Sequence, residues 1–142
     1  MIEVVNRQRK VRVDCERWQT FVAKALGHLS SSTPAVTVAF VSDRTISELN
    51  RMWRHKRGPT DVLSFPAAPE SFEKLEGLSL GDVVISVERA AAQAKDNKLT
   101  LDSELAQLIL HGLLHLCGYD HETDKGEMNR LELQLRRRLG IG

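Results

Sequence analysis

The sequence has few of the features that would place the protein in a membrane or in an oxidising compartment. It has only two cysteines, Cys15 and Cys117, which could pair only if the fold brought them together. It has no apolar run of the length that spans a bilayer, and no apolar stretch after its start that would indicate a signal peptide. We therefore expect a cytoplasmic protein with two reduced thiols and no membrane partner.

The chain also lacks a bias of charge, an internal repeat and a linker. Its formal net charge is +1, so any basic surface must be local. Hydrophobic residues make up 42% of the chain and charged residues 27%, which is ordinary for a globular protein. A chain of 142 residues with this composition predicts one domain, residues 1–142, around one core.

The hydrophobic pattern predicts strands and helices in alternation. Strands are expected at 1–5, 36–41, 61–65 and 81–86, and helices at 15–27, from Thr45 up to Gly58-Pro59, and at 87–95, 100–117 and 125–139. A capping box from Thr45 to Glu48 marks the start of the second helix, with Trp53 on its inner face. The fold class is therefore α+β: about four strands in one sheet, about five helices, and a surface loop at 67–79.

Three of the five histidines, His111, His115 and His121, lie within one short segment. His111 and His115 are four residues apart, which places both imidazoles on one face of a central, buried helix. Gly118 allows the chain to leave that helix in a left-handed conformation, so that His121 can return to the same point. Three nitrogen ligands with a fourth position open to water are typical of a catalytic zinc ion, which lowers the pKa of that water toward ~7.

Two other interpretations of this segment are open. Cys117 could complete a closed zinc site that only stabilises the fold, although it lies about 200° around a helix from His115. The three histidines could also be unrelated core residues, although their spacing repeats a known ligand geometry. The same spacing occurs in metzincin proteases, but Gly112 stands where those proteases carry the glutamate that acts as general base, so a peptidase is disfavoured.

Three segments together resemble the YbeY family, the bacterial rRNA maturation factors. They are His111-Gly112-x-Leu114-His115-Leu116-x-Gly118-Tyr119-Asp120-His121, Pro59-Thr60-Asp61-Val62-Leu63-Ser64-Phe65-Pro66, and Leu80-Gly81-Asp82-Val83-Val84-Ile85-Ser86. They come in the family's order, and the resemblance covers essentially the whole chain. It implies a zinc-dependent, single-strand-specific endoribonuclease that processes small-subunit ribosomal RNA during ribosome maturation and quality control, with the ribosome or small-subunit proteins as partners.

The resemblance also assigns roles within residues 51–57, the densest basic segment of the chain. Arg54 stands at the position of the family's active-cleft arginine, and its guanidinium could hold a phosphate through two parallel hydrogen bonds. Lys56 stands at a family lysine, and Arg57 replaces an acidic residue of many members, which puts in doubt any role for that acid in activating water. Arg54 is thus the expected catalytic residue, with Lys56 and Arg57 contacting substrate. Without the resemblance, a solvated helix end explains these cations more simply.

No residue stands out as the general base. Asp120 adjoins His121 and could fix the tautomer of that imidazole, or could instead hydrogen-bond the local backbone. Asp82, at the start of a strand, is the other candidate, and it could equally orient a turn. Trp53 is expected to pack in the core rather than to stack on a base. A non-enzymatic, zinc-containing ribosome-associated factor is the alternative to an enzyme, and imidazole sites accept other divalent metals besides zinc.

Overall fold

The computed structural model describes residues 1–29, 35–67, 79–119 and 124–141. These residues contain four strands and five helices. The strands are β1 (Ile2–Asn6), β2 (Ala35–Val41), β3 (Val62–Pro66) and β4 (Ser79–Ser86). The helices are α1 (Cys15–Leu29), α2 (Asp43–Arg54), α3 (Val87–Asp96), α4 (Leu101–Leu116) and α5 (Glu127–Leu139). The predicted α+β class is confirmed. Across the described ranges, every helix is too short or too polar to traverse a lipid bilayer.

The strands form one mixed sheet in the order β1-β2-β4-β3. The neighbours β1, β2 and β4 are parallel, whereas β3 lies at the edge and runs antiparallel to β4. The predicted loop at 67–79 falls mostly outside the described residues, and its last residue, Ser79, already belongs to β4. Because β3 is an edge strand, one of its sides is open, and the site described below forms along it.

Helices cover the two faces of the sheet unequally. The main core lies between one face and α1, α3, α4 and α5, and it contains Val38, Val83 and Ile85. The other face is covered by α2, whose Ile46 packs in a smaller cluster with Leu63 and two valines. Ten of the sixteen residues of α4 are buried, so α4 is the central helix that its all-round apolar sequence predicts.

The start of α2 differs from the prediction. Ser42, not Thr45, is the N-cap: the backbone N–H of Thr45 donates to Ser42 Oγ at 3.2 Å. The predicted capping box therefore lies inside the helix, three residues too late, because Ser42 is already the first polar residue after the buried end of β2. The helix also ends earlier than Gly58-Pro59, at Arg54, where His55 adopts a left-handed conformation with φ of 57°.

Candidate metal centre

The helix that carries the two described histidines begins as predicted and runs unbroken to its last turn. Thr100 caps α4, and its Oγ1 accepts the backbone N–H of Ser103 at 3.0 Å. His111 and His115 lie near the C-terminal end of α4, where both are half-buried and line a cleft. The i, i+4 spacing thus presents both rings to the same space.

The two imidazoles approach each other through their Nε2 atoms. Nε2 of His111 and Nε2 of His115 are 3.1 Å apart, and the ring centroids are 4.6 Å apart. Two imidazole nitrogens bound to one tetrahedral zinc at ~2.0–2.1 Å would be about 3.4 Å apart, so this pair needs little adjustment to share an ion. The role of these residues as metal ligands stays a prediction, and the donor set and its spacing fit it.

The chain leaves α4 at the predicted glycine. Gly118 has φ of 98°, in the left-handed region, and its N–H donates to the carbonyl oxygen of His115 at 3.0 Å. The third predicted ligand, His121, and the neighbouring Asp120 lie outside the described residues. Within the described ranges, no third histidine, cysteine or carboxylate joins the pair to form a possible metal-binding group.

Cys117 does not point into this centre. It is the C-cap of α4 and is absent from the described lining of the cleft, as its angular distance from His115 predicts. Burial raises the pKa of the Cys117 thiol above its ordinary value. Both Cys117 and Cys15 are free. A closed zinc site completed by Cys117 is therefore disfavoured.

A glutamate that the sequence did not single out stands behind His111. Oε1 of Glu132, on α5, lies 3.6 Å from Nδ1 of His111, and its side chain is only 15% exposed. A carboxylate at this distance would favour a proton on Nδ1 through its negative charge, and this tautomer would leave the Nε2 lone pair free to bind a metal. A signal was present in the sequence: Glu132 is four residues after Met128 and three before Leu135, so it interrupts the apolar face of α5.

Replacing Glu132 by glutamine is expected to weaken metal binding roughly 10- to 100-fold, the usual effect of losing a group that orients a metal-ligating histidine. The substitution conserves shape and removes the negative charge beside Nδ1. Competition for zinc with a chromogenic chelator measures the affinity. Glu127→Gln, at an exposed glutamate of the same helix, is the matched control. Equal affinities in the two variants would show that Glu132 does not orient the ligand.

Gly112 faces the sheet rather than the cleft. A Cβ atom at this position would lie 2.6 Å from Cγ1 of Val83, closer than side chains can approach. Ser64 Oγ on β3 donates to the carbonyl oxygen of Gly112 at 3.3 Å, which ties the helix to the edge strand. A glutamate at position 112 would therefore meet β4 and could not serve the metal centre as a base.

The cleft above the two histidines has a volume of about 800 Å³. Its walls come from the last turn of α2, from β3 and the residues before it, and from the turn after α4. The described lining consists of Trp53, Arg54, residues 60–66, His111, His115, Gly118 and Tyr119. The imidazole pair thus shares a cleft that is open to solvent with one arginine and with polar and apolar residues of the other walls.

Of the three basic residues predicted to act on substrate, one lines the cleft. Arg54 is in the lining, whereas Lys56 and Arg57 are exposed on the loop beside it. Asn50 holds that loop: its Nδ2 donates to the backbone carbonyl oxygen of Gly58 at 3.1 Å, and the backbone carbonyl oxygen of Asn50 accepts the N–H of Lys56 at 3.3 Å. Arg54 thus shares the cleft with the histidines, whereas Lys56 and Arg57 lie on the exposed loop after α2, which we call the rim.

Trp53 is not a core residue, so that prediction was wrong. Its side chain is 65% exposed and lines the cleft. The buried residues of α2 are Ile46 and Asn50, both of which come before its last turn. The last turn extends past this contact, and Trp53 meets Phe65 of β3 instead, with ring centroids 6.3 Å apart at 72°.

Asp82 belongs to the opposite side of the sheet. Its neighbour Val83 packs against Gly112 of α4, and successive side chains of a strand point to opposite faces. Asp82 therefore lies on the face covered by α2, in register with Phe65 of β3. Asp82 is not among the residues that line the cleft, so a role as base at the metal centre is disfavoured.

A buried carboxylate lies deeper in α4, two turns before His111. Glu104 is only 7% exposed, and burial together with the negative charge of Asp61 raises its pKa. The side-chain amide of Gln93 lies between the two carboxylates, and with its nitrogen assigned to that side it donates to Glu104 Oε1 at 3.0 Å and to Asp61 Oδ2 at 3.2 Å. Since Asp61 also lines the cleft, this cluster anchors the cleft wall to α3 and α4.

The chain is similar over nearly its whole length to one family. The profile described as "Endoribonuclease YbeY" matches residues 3–140. A relative of that name from Synechococcus sp. (strain CC9605) is 44% identical over 115 residues, which cover 80% of this chain and 69% of the relative. Another from Anaeromyxobacter sp. (strain Fw109-5) is 41% identical over 142 residues, covering 99% of this chain and 72% of the relative.

A solved structure has the same arrangement of elements. The solution structure of TM1509 from Thermotoga maritima matches with a TM-score of 0.65 and 26% identity, covering 98% of this chain and 89% of that one. The fold, the three sequence segments and the whole-length matches agree. The chain belongs to the endoribonuclease YbeY family.

Proposed function

We propose that this chain is a metal-dependent endoribonuclease that cleaves single-stranded RNA in the cleft between α2, β3 and α4. Family membership confirms the predicted endoribonuclease, an enzyme that hydrolyses phosphodiester bonds of RNA. The observation that supports this placement of the site is the convergence of the Nε2 atoms of His111 and His115, 3.1 Å apart, on a cleft that also holds Arg54.

The residues that would hold the metal are His111, His115 and His121, and the proposed ion is zinc. Three imidazoles are a usual donor set for a catalytic zinc, because they leave one coordination position open. Bound there, the ion would supply Lewis acidity toward a phosphoryl oxygen and would lower the pKa of water. Glu132 would keep the His111 imidazole in the tautomer that ligation requires.

The cationic side chains would hold the RNA backbone. Arg54 would form a bidentate contact with the phosphate to be cleaved and oppose the charge that develops on its oxygens. Lys56 and Arg57, exposed at the rim, would contact flanking phosphates through charge alone. A cleft of about 800 Å³ has the size of a small-ligand site, which suits a few nucleotides of one strand rather than a duplex.

The proposed RNA is small-subunit ribosomal RNA, cleaved during ribosome maturation with ribosomal components presenting it. The resemblance of the three sequence segments supports this choice. Among the described residues at the cleft, Arg54, Lys56 and Arg57 would recognise phosphate, which is the same at every position of a strand. Selection of one cleavage site would therefore come from the partner that presents the strand.

Metal removal tests the proposed activity. The metal-loaded protein is expected to cut a single-stranded oligoribonucleotide and to leave the same sequence largely intact when it is annealed to its complement. Chelation should stop cleavage, and about one equivalent of zinc per chain should restore it, because three histidines form one site. Denaturing gels and elemental analysis give the two readouts.

Two results would count against the proposal in different ways. Full activity in protein shown to be metal-free would remove the metal from the mechanism. Failure of the metal-loaded protein to cut any single-stranded RNA would leave a non-enzymatic, RNA-binding factor as the better description.

A further inference from the structure

Trp53 is a large aromatic side chain exposed where the cleft opens. Its exposed fraction is 65%, whereas Trp18, the other tryptophan, is 2% exposed and lies in the main core. Exposed large hydrophobic residues in the described part of the chain also include Met52, but Met52 does not line the cleft. The position of Trp53 is therefore not explained by core packing, and it adjoins the proposed catalytic groups.

The neighbouring strand holds the indole ring in place. Phe65 of β3 contacts Trp53 edge to face, with an angle of 72° between the rings. Phe65 itself packs against the cluster that contains Leu63 and Ile46, so it is anchored to the sheet. An edge-to-face contact occupies at most one face of the indole, which leaves a supported aromatic face for a ligand.

The ligand chemistry follows from the two adjacent residues at the end of α2. Arg54 presents a planar cation suited to a phosphate, and Trp53 presents a flat aromatic ring suited to a nucleobase. Although consecutive residues of a helix are about 100° apart, both side chains line the same cleft. A bound RNA strand also carries a phosphate and a base next to each other.

We propose that Trp53, supported by Phe65, is the stacking platform for one unpaired base next to the phosphate held by Arg54, an inference that rests on the proposed function. A base within a duplex has both faces covered by its neighbours, whereas an unpaired base offers a face to an aromatic side chain. The platform would thus supply part of the preference for single strands, by contact with any base rather than by reading its identity.

Kinetics of substituted proteins provide the first test. Trp53→Ala is expected to raise KM for a single-stranded oligoribonucleotide roughly 5- to 150-fold with kcat little changed, as one lost stacking contact implies. Trp53→Phe should retain most of the affinity. Met52→Ala, at the adjacent exposed residue outside the cleft, is the control and should leave KM unchanged. Because Trp53 is exposed, its truncation should leave the thermal unfolding temperature near that of the parent.

Removing a nucleobase from the RNA, instead of the indole ring from the protein, separates a stacking role of Trp53 from a merely structural one. A series of oligonucleotides with one abasic position each should include one position at which the parent loses affinity by about the factor seen for Trp53→Ala. At that position the Trp53→Ala protein should lose nothing further, since both changes delete the same contact. Equal losses in both proteins at every position would overturn the proposal.

Tryptophan fluorescence tests the proposal by measuring RNA binding, without requiring that the RNA be cleaved. Binding of the oligonucleotide should quench the emission of Trp53, and the Trp53→Phe protein, which keeps only the buried Trp18, should show no quenching. Quenching that disappears with the critical abasic oligonucleotide supports the platform. Its absence from the parent at saturating RNA overturns the platform. A lack of cleavage alongside base-dependent quenching would contradict only the proposed nuclease activity.

Discussion

Replacing His115 by alanine is expected to reduce kcat/KM for RNA roughly a thousandfold or more and to abolish stoichiometric zinc binding. A catalytic metal ion contributes several kcal/mol of charge stabilisation, and each factor of ten in rate corresponds to about 1.4 kcal/mol. His115 is a cleaner target than His111, because removing the His111 imidazole would also leave the nearly buried carboxylate of Glu132 without its partner. Single-turnover cleavage and elemental analysis of the same preparation measure the two losses together.

The control is a histidine of the same chain that lies elsewhere. His28, exposed in the last turn of α1, does not line the cleft, so His28→Ala should keep both the metal and the activity. Circular dichroism should show that both variants keep the helical content of the parent. A His115→Ala protein that cuts RNA at the parent rate would remove the histidine pair from the active site.

Replacing Arg54 by alanine is expected to lower kcat roughly 100- to 1000-fold, the range found when one group that stabilises transition-state charge is lost. The metal content should stay at that of the parent, because Arg54 lies on the α2 wall rather than on the helix that carries the histidines. Arg54→Lys should recover only part of the rate, since an ammonium keeps the charge but loses the planar bidentate contact. Steady-state kinetics separate kcat from KM.

Arg51 provides the matched control, since it is an exposed arginine of α2 that does not line the cleft. Arg51→Ala should change binding at most a few-fold, with a dependence on salt concentration. If Arg54→Ala raised KM alone and left kcat unchanged, the arginine would hold the ground-state phosphate and contribute nothing specific to the transition state.

Local patterns in the sequence predicted the features that depend on residues close together in the chain. Thr100 caps α4 where predicted, the apolar positions around α4 identified it as the central helix, and Gly118 ends its path. The i, i+4 spacing placed His111 and His115 on one face. These features depend on helix geometry alone, so no knowledge of the tertiary fold was needed.

The features that the sequence did not predict depend on how the elements pack. Glu132 approaches His111 only because α5 lies against α4, and its sequence signal is a single acidic residue on an apolar face. Trp53 continues the apolar spacing of α2, but the sheet contact ends before it. The alternation of side chains along β4 places Asp82 and Val83 on opposite faces of the sheet. Which face belongs to Asp82 is known only once Val83 is seen to contact α4. A helical or alternating pattern predicts which residues share one face of a helix or strand, but it does not predict which other element packs against that face.

The contact between Gly112 and Val83 bears on how the same histidine spacing serves different reactions. The residue after His111 lies about 100° around α4 from that histidine, on the side where β4 packs, and a Cβ atom there would lie 2.6 Å from Val83 Cγ1. A substitution to glutamate would push the helix off the sheet rather than install a proteolytic base. Glutamate at this position alone would therefore not supply the scaffold with a peptidase's base. Two enzymes with the same ligand spacing can differ in chemistry through the element that packs beside the metal-binding helix, which makes the buried side of that helix part of its specificity.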